Sequence, residues 1–263
     1  QYGIFLGRII SGDNSQGKVN KLSNTWSKRP FQYSSAIHPM VAQIVVDLLV
    51  DLVVLLGKRR HHPSKNSPGK AIHLLDATCG SGTFLAFALT KDMNITVEGW
   101  DINPSCIEGT RENLEYCFGS EIVSRCQLSV RDSSSSSSHV KKEWMDQGSV
   151  DCVVANLPWG QNTVDYLDQN VQILESIQRQ VRSGTPCAFI HKDEKLSKKR
   201  MKSLGFEVLG EAYVPPLDFA LPKSRNAAIK RKKNGDDDDD EQVSKPLPRK
   251  RHQRITFART TAF

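Results

Sequence analysis

Two short motifs in this chain have the residue types of the two halves of one active site. Residues 76–83 read DATCGSGT and follow the apolar run 72–75, whereas residues 156–159 read NLPW and follow the mostly apolar run 150–155. A glycine turn that leaves a buried strand lets the backbone approach a cofactor closely. A polar residue followed by proline and an aromatic ring can hold an amino group against a flat base. Together the motifs predict transfer of a methyl group from S-adenosylmethionine to a nitrogen atom.

The second motif has the groups that methylation of an aromatic amine needs. The lone pair of such an amine is delocalised into the ring, so the amine reacts only when its lone pair is aligned with the methyl carbon. The Asn156 side-chain oxygen and the Leu157 carbonyl could accept its two N–H groups and align it. Pro158 would stiffen the turn, and Trp159 would offer a face on which a base can stack. A proline turn with a packed tryptophan is the ordinary alternative.

The first motif and the strands that follow it supply candidate cofactor contacts. Gly80 and Gly82 permit close approach, and Asp76 could accept hydrogen bonds from the turn or from a cofactor ammonium. Asp101 ends the next predicted strand, where an acidic residue suits the two ribose hydroxyls of an adenosine ligand. Asp132 could accept from the adenine amine, although a capping or loop role explains it equally well.

A nicotinamide dinucleotide is the main competing ligand for such a turn. The dinucleotide fingerprint has three glycines in the pattern GxGxxG. In this chain the turn reads GSGTFL from residue 80, so the third glycine is missing. The sequence therefore favours S-adenosylmethionine.

The order of the predicted elements indicates the fold that positions these motifs. The predicted strands are 72–76, 96–100, 125–130, 151–155, 188–191, 206–213 and 254–262. The predicted helices are 82–91, 104–117, 164–181 and 194–204, and a buried amphipathic helix is predicted at 44–56. Strands that alternate with helices imply an α/β fold with a mostly parallel sheet and helices on both faces. The last two strands would close this Rossmann-like, seven-stranded sheet as an antiparallel hairpin.

Length and charge set the domain organisation. A chain of 263 residues, 38% of them hydrophobic, can form one sizeable core. Low-complexity insertions are predicted at 57–70, 133–138 and 223–253. Residues 223–254 hold 11 of the 36 Lys and Arg residues and 6 of the 29 Asp and Glu residues, which gives +5 of the net +7 charge. This segment could contact RNA phosphates or act as a nuclear address, and a solvated insertion is an equally good interpretation.

Several function classes are disfavoured by the composition. The six cysteines form no CxxC pair and no Cys/His cluster at zinc spacing, so no metal site is expected. No apolar run approaches the roughly 20 residues that span a bilayer, and no membrane association is predicted. The chain starts at Gln1 without a signal-like segment, and we expect a cytoplasmic location, with a nuclear one open. Residues 1–37 are predicted to be an N-terminal extension, the end of an upstream RNA-binding domain, and 38–263 the catalytic domain.

The motifs resemble those of a known family. Residues 76–84 resemble motif I of class I S-adenosylmethionine-dependent methyltransferases, and 156–159 resemble the Asn/Asp-x-Pro-aromatic motif of their amino-methylating members. More narrowly, the chain resembles the RNA guanine-N2 methyltransferases that act on tRNA guanine 10 and their relatives with a THUMP domain. The segments that support this narrower resemblance are 29–31, 37–42, 99–104 and 109–114.

The resemblance implies a fold, a cofactor, a substrate and site residues. It implies the class I methyltransferase fold, S-adenosylmethionine, and methylation of the exocyclic N2 of guanosine in RNA, with tRNA as the expected RNA. The cofactor contacts that it implies are Asp76, Cys79, Gly80, Gly82, Asp101, Ile102 and Asp132, with His38 and Pro39 at the methionine end. It also implies a small activating protein subunit. Leu157 departs from the family pattern, in which proline is common at that position.

Other functions remain open at this stage. Adenine-N6 and protein glutamine-N methyltransferases use the same tetrapeptide. A non-catalytic partner could keep the fold without the activity, although both motifs are intact here. A nucleic-acid-binding module that depends on the basic segment 223–254 is the third alternative.

Overall fold

A computed structural model describes residues 22–33, 36–60, 71–91, 95–135, 150–158, 166–192, 196–214 and 253–261. Its helices are α1 (Pro39–Arg60), α2 (Thr83–Leu89), α3 (Pro104–Phe118), α4 (Tyr166–Gln180) and α5 (Lys198–Ser203). Its strands are β1 (Ile72–Asp76), β2 (Ile95–Asp101), β3 (Cys126–Val130), β4 (Cys152–Asn156), β5 (Pro186–His191), β6 (Phe206–Val214) and β7 (Gln253–Thr260). A helical segment at 22–26 precedes α1, and the 3₁₀ helix Ser120–Arg125 leads into β3.

The strands form one seven-stranded mixed sheet. Its order is β3-β2-β1-β4-β5-β7-β6, and β1 to β5 run parallel to one another. β7 lies between β5 and β6 and is antiparallel to both. The predicted Rossmann-like sheet with a closing hairpin is confirmed. The strand order changes direction between β1 and β4, where open α/β sheets bind their ligands.

Helices cover both faces of the sheet because the central strands are apolar on both sides. Leu74 and Val154 face a core that α1, α2 and α3 complete. Their neighbours Leu75 and Val153 face a second core that α4 and α5 complete. The strands are thus fixed from both faces, and the polar residues at their carboxyl ends have rigid supports.

Helix α1 is longer than the predicted segment 44–56, because it begins at Pro39 and continues to Arg60. Residues 57–60, predicted as the start of an insertion, are therefore helical. By length and composition alone, Pro39–Leu56 could cross a bilayer, the one such stretch in the described part of the chain, and a third of it is buried. Its buried side chains, among them Val45 and Leu49, belong to the core of the sheet. In addition, Asp47 forms an ion pair with Lys91 at the end of α2.

The other helix and strand boundaries differ from the predictions by a few residues, and their caps explain part of the difference. α5 begins at Lys198 because the Ser197 hydroxyl accepts a hydrogen bond from the Arg200 amide at 3.3 Å, so the predicted helix 194–204 is too long. β4 extends to Asn156, which makes this residue the last of its strand. Residues 61–70, 136–138 and 223–252 of the predicted insertions lie outside the described residues.

Candidate active site

The glycine turn after β1 has a backbone that only glycine adopts readily. Gly80 and Gly82 have φ angles of +53° and +81°. A Cβ atom on Gly82 would stand 2.7 Å from Thr110 Cγ2, so a side chain there would also collide with α3. The Gly82 amide donates to the Cys79 carbonyl at 2.7 Å, and α2 starts at the next residue. The turn therefore presents bare backbone at the carboxyl end of β1.

Two polar side chains of α3 hold this turn in place. Thr110 Oγ1 donates to the Gly80 carbonyl at 2.8 Å, and Asn113 Nδ2 donates to the Ser81 carbonyl at 3.0 Å. Both residues are fully buried. Sequence reasoning gave them no role, although a signal existed. Thr110 and Asn113 recur at helical spacing among the buried residues of α3, and a buried polar side chain needs a partner.

Asp101 ends β2 and ties the next strand to the turn. Its Oδ2 accepts the Gly80 amide and its Oδ1 accepts the Asn103 amide, each at 2.9 Å. A carboxylate has about four lone-pair sites, so Asp101 could also accept a hydroxyl proton from a ribose. Ile102 follows directly and is 61% exposed, so its side chain is accessible to a flat ligand.

Asp76 is buried and has an unsatisfied oxygen. Its Oδ1 accepts the Thr78 amide at 3.1 Å, whereas its Oδ2 has no hydrogen-bond partner in the described part of the chain. Burial raises the pKa of this carboxyl from its ordinary 3.8 to about 8, the Thr78 bond opposes the rise, and the charge of Asp101 adds to it. A buried oxygen that lacks a donor fits the ammonium group of S-adenosylmethionine, as the sequence predicted.

The acceptor motif begins at the end of β4, next to β1. Thr78 Oγ1 donates to the Asn156 carbonyl at 3.2 Å, so the glycine-turn segment and the acceptor strand are directly joined. The Asn156 side-chain oxygen is buried. The Leu157 amide donates to the Ile190 carbonyl of β5 at 2.9 Å, and its side chain is buried in the second core. These contacts fix the peptide that would present the two accepting oxygens.

Asn170 of α4 holds the next residue of the acceptor motif. Its Nδ2 donates to the Pro158 carbonyl at 3.1 Å, and the side chain is fully buried. The sequence analysis gives Asn170 no role, although its spacing from the buried residues Ile173 and Leu174 puts a polar group on an apolar helix face. Trp159, the predicted stacking residue, lies outside the described residues.

The end of β3 gives Asp132 capping contacts, one of the two roles that the sequence left open, and its contact with the adenine stays a prediction. Asp132 is exposed, and its Oδ1 accepts from the Ser134 amide at 2.9 Å and from the Ser134 hydroxyl at 2.6 Å, which is the geometry of a turn cap. Ser133 is buried and donates to the Ala77 carbonyl at 2.5 Å. Ser133 was predicted to open a low-complexity insertion. Instead it joins the β3 end to the cofactor turn.

The other predicted cofactor residues have structural contacts. His38 precedes α1 and its Nδ1 accepts the Met40 amide at 3.2 Å, while Pro39 is the first helical residue. Cys79 is buried, its amide donates to the Trp100 carbonyl at 2.8 Å, and burial raises the pKa of its thiol. Their contacts with a cofactor stay predictions. Among the described residues, no three His, Cys, Asp or Glu side chains form a metal-binding group.

The sheet order, the glycine turn and the acidic strand ends define a Rossmann-like, class I S-adenosylmethionine-dependent methyltransferase. The family model of the methyltransferase domain matches residues 68–219. This match covers more than half of the chain, and the chain therefore belongs to that family of methyltransferase domains. S-adenosylmethionine is its cofactor.

Solved structures with the same fold are distant in sequence. TrmN from Thermus thermophilus has 17% identity and a TM-score of 0.53 over 90% of this chain and 53% of its own. An S-adenosylmethionine-dependent O-methyltransferase from Thermotoga maritima has 14% identity and a TM-score of 0.52 over 92% and 72% of the two chains. A Pyrococcus horikoshii protein, provisionally assigned as an RNA methyltransferase, has 14% identity and a TM-score of 0.51 over 94% and 100%. No curated protein sequence matches this chain.

Proposed function

We propose that this methyltransferase transfers the methyl group to the exocyclic N2 amine of guanosine in RNA, with tRNA as the expected substrate. The observation that carries the proposal is the position of Asn156. It ends β4 at the switch point of the sheet, and its carbonyl accepts a hydrogen bond from Thr78 of the cofactor-turn segment. An amine held at Asn156 would therefore lie beside the cofactor.

The chain contributes mainly orientation to this reaction. Asn156 Oδ1 and the Leu157 carbonyl would accept the two N–H groups of the amine, so that its lone pair points at the methyl carbon. When bound, S-adenosylmethionine supplies that methyl group on a sulfonium. The N2 lone pair would form the new N–C bond while the electrons of the broken S–C bond would stay on sulfur, and one N2 proton would leave to solvent.

The rigid supports of the acceptor strand favour this positioning role. Ile190 holds the Leu157 amide from β5, and Asn170 holds the Pro158 carbonyl from α4. The peptide between Asn156 and Pro158 is thereby held on both sides before a substrate binds. Pre-organised acceptors require little reorganisation at the moment of transfer.

The choice of guanosine in RNA rests on the resemblance of segments 29–31, 37–42, 99–104 and 109–114 to guanine-N2 methyltransferases. The Pyrococcus horikoshii protein, provisionally assigned to RNA, is compatible with this choice, although its similarity is one of fold. We propose further that an upstream RNA-binding domain and a small activating subunit assist RNA capture. A cytoplasmic or nuclear location belongs to the same proposal.

Nucleoside mass spectrometry of RNA that has reacted with the chain and S-adenosylmethionine tests this function. We expect N2-methylguanosine, and we expect the Asn156→Ala variant to form it about 10³-fold more slowly. Methylated adenosine in RNA or DNA, or methylated glutamine in protein, would show that the acceptor is one of the alternatives that share the tetrapeptide, and not guanosine. A folded chain that binds S-adenosylmethionine but methylates none of these would contradict the enzymatic proposal.

A further inference from the structure

Residues 29–33, which we call the strap, cross from the N-terminal segment onto α3. Phe31 and Asn113 form a reciprocal pair of hydrogen bonds across 82 positions of sequence. The Phe31 amide donates to Asn113 Oδ1, and Asn113 Nδ2 donates to the Phe31 carbonyl, each at 2.9 Å. The Asn113 side-chain amide thus makes the two hydrogen bonds that a neighbouring strand would otherwise make, and it fixes the backbone of the strap.

The Phe31 ring occupies a space that a glycine provides. A Cβ atom on Gly109 would overlap this ring, so any larger residue at 109 would displace the strap. Asn113 Nδ2 also donates to the Ser81 carbonyl of the glycine turn. One buried side chain therefore holds both the strap and the cofactor turn, and a movement of either segment would break bonds to the other.

Tyr33 is the strap residue that reaches the cofactor turn. Its ring stacks on Phe31 with centroids 6.3 Å apart and planes 17° apart. Its Cδ1 atom is also 3.5 Å from the position of a Cβ built on Gly80. The bare face of Gly80 is thus partly covered by an aromatic ring.

Cys106 places the other end of Tyr33. Its thiol is hydrogen-bonded to both the Tyr33 and the Asp101 side chains. Burial is the main cause that raises the pKa of this thiol to about 11, so it is neutral at physiological pH. Tyr33 therefore spans from Gly80 to the neighbourhood of Asp101, the predicted ribose contact, and is still 38% exposed.

We propose that Tyr33 contacts the nucleoside part of bound S-adenosylmethionine and that Asn113 is the positioning residue that holds it there. The geometry supports this role because the ring lies between the glycine turn and the ribose carboxylate while one side stays accessible. Aromatic rings cover flat, apolar ligand surfaces while tolerating a polar rim. The inference rests on the cofactor site and is independent of the acceptor.

Calorimetric binding of S-adenosylhomocysteine and 5′-methylthioadenosine to the full chain tests the proposal. The second ligand lacks the amino-acid part of the cofactor. We expect Tyr33→Ala to weaken both ligands by about tenfold, whereas Tyr33→Phe, which keeps the ring, stays within about threefold of the unmodified chain. Unchanged affinities in Tyr33→Ala would overturn the proposal, as would a loss confined to S-adenosylhomocysteine.

Tyr116→Ala provides the matched control, because Tyr116 is also a surface tyrosine, 52% exposed on α3. We expect it to leave both affinities unchanged, and an equal loss in this variant would mean that Tyr33 acts through general destabilisation. Melting temperatures of both variants should stay near that of the unmodified chain. If the unmodified chain binds both ligands but methylates no RNA, the acceptor proposal fails while this one is still tested.

A double-mutant cycle tests the positioning role of Asn113. If Asn113 acts through Tyr33, the affinity loss of Asn113→Ala should shrink when Tyr33 is already alanine. Fully additive losses would show that Asn113 supports only the glycine turn, and the positioning role would be wrong. Should Asn113→Ala fail to fold, Gly109→Ala provides a second route, because its Cβ atom would displace the Phe31 ring while the Asn113 side chain is kept, and its affinity loss should likewise shrink when Tyr33 is already alanine.

Discussion

The cofactor half and the acceptor half of the site are built differently. In the cofactor half, side chains from β2 and α3 bind the backbone of the glycine turn at several points, through Asp101, Thr110 and Asn113. In the acceptor half, one strand end is held mainly through its backbone, by Thr78, Ile190 and Asn170. The cofactor half is therefore held by several side chains that bond to one turn. In the acceptor half, it is mainly the backbone at the end of β4 that is held, and the chain continues into residue 159.

This difference assigns different kinetic consequences to the two halves. Because these hydrogen bonds are already formed before the cofactor binds, a substitution that removes one of them should mainly weaken cofactor binding. The end of β4 would orient one amine in the transition state, so a substitution there should lower kcat. Thr78 connects the halves, because its amide donates to the Asp76 side chain and its hydroxyl donates to the Asn156 carbonyl. The following changes test the separation.

The largest effect is expected for Asn156→Ala. Loss of the accepting oxygen should lower kcat by about 10³-fold, in the range for a single transition-state hydrogen-bonding group. The dissociation constant of S-adenosylhomocysteine should stay within about twofold, because the proposed role of the side chain is to hold the amine and not the cofactor. Single-turnover rates and calorimetry would measure the two quantities. Full transfer by this variant would contradict the assigned role.

Asp101→Ala should have the next largest effect, and this effect should be on cofactor affinity and not on kcat. Removal of a carboxylate that accepts two backbone amides and is the predicted ribose contact should weaken cofactor binding by about 30- to 100-fold, with little change in kcat at saturation. Asp132→Ala is the matched control. Its contacts are those of an exposed turn cap, so we expect a loss of no more than about threefold. A larger loss for Asp132 than for Asp101 would reverse this ranking.

Asn170→Ala tests the anchoring of the acceptor end. Loss of the bond to the Pro158 carbonyl should reduce kcat by about tenfold and lower the free energy of unfolding by about 1–2 kcal/mol, without a change in cofactor affinity. Ser176→Ala on the same helix removes a buried hydroxyl that donates to the Ser135 carbonyl and accepts from the Gln180 side chain. It should affect stability alone. If both variants lose the same activity, helix stability rather than Pro158 positioning explains the result.

The smallest effect concerns the proton on Asp76. Its pKa of about 8 keeps the free site mostly protonated at pH 7, and an ammonium beside Oδ2 would favour the carboxylate. Binding of S-adenosylhomocysteine at pH 7 should therefore release a fraction of a proton, seen as a binding enthalpy that differs between phosphate and Tris buffers. Asp76→Asn should abolish this difference. Proton release of the same size in that variant would assign the proton to another group.

The same pKa sets the direction of the stability change with pH. Because the folded chain keeps the proton up to about pH 8 and the unfolded chain loses it near 3.8, the contribution of Asp76 is most favourable below 3.8. It declines as the pH rises towards 8. Chemical unfolding of the unmodified chain and of Asp76→Asn across this range would show it. Asp76→Asn should lack this decline.

The ends of the central strands could be predicted from the sequence because their signal is local. Buried parallel strands are continuous apolar runs, and the first polar residue after such a run must lie at the sheet edge. Asp76, Asp101 and Asn156 were placed in this way, and they do end β1, β2 and β4. The closing hairpin could also be predicted, because the two strand-like segments near the end of the chain can pair with each other and extend the sheet.

The supports of the site could not be predicted in the same way because they join distant parts of the chain. Asn113 meets Phe31 across 82 positions, and Ser133 meets Ala77 across 56. Ser133 was hidden by composition, because a run of identical residues gives no indication of which one is buried. Asn113 lay in a segment that supported the family resemblance, but the resemblance did not show what its side chain holds.

The pairing of β6 with β7 provides a point at which the chain of the catalytic domain can be cut. Val214 pairs with Gln253 at the end of the ladder, so residues 215–252 leave and re-enter the sheet at one place. A chain cut there would still place both strands by their pairing and by the β5 contact of β7. Replacing these roughly forty residues with a two-residue turn should even gain about 2–3 kcal/mol of loop-closure entropy. Fusing a partner to each side of such a cut would therefore test whether strand pairing alone reassembles the methyltransferase.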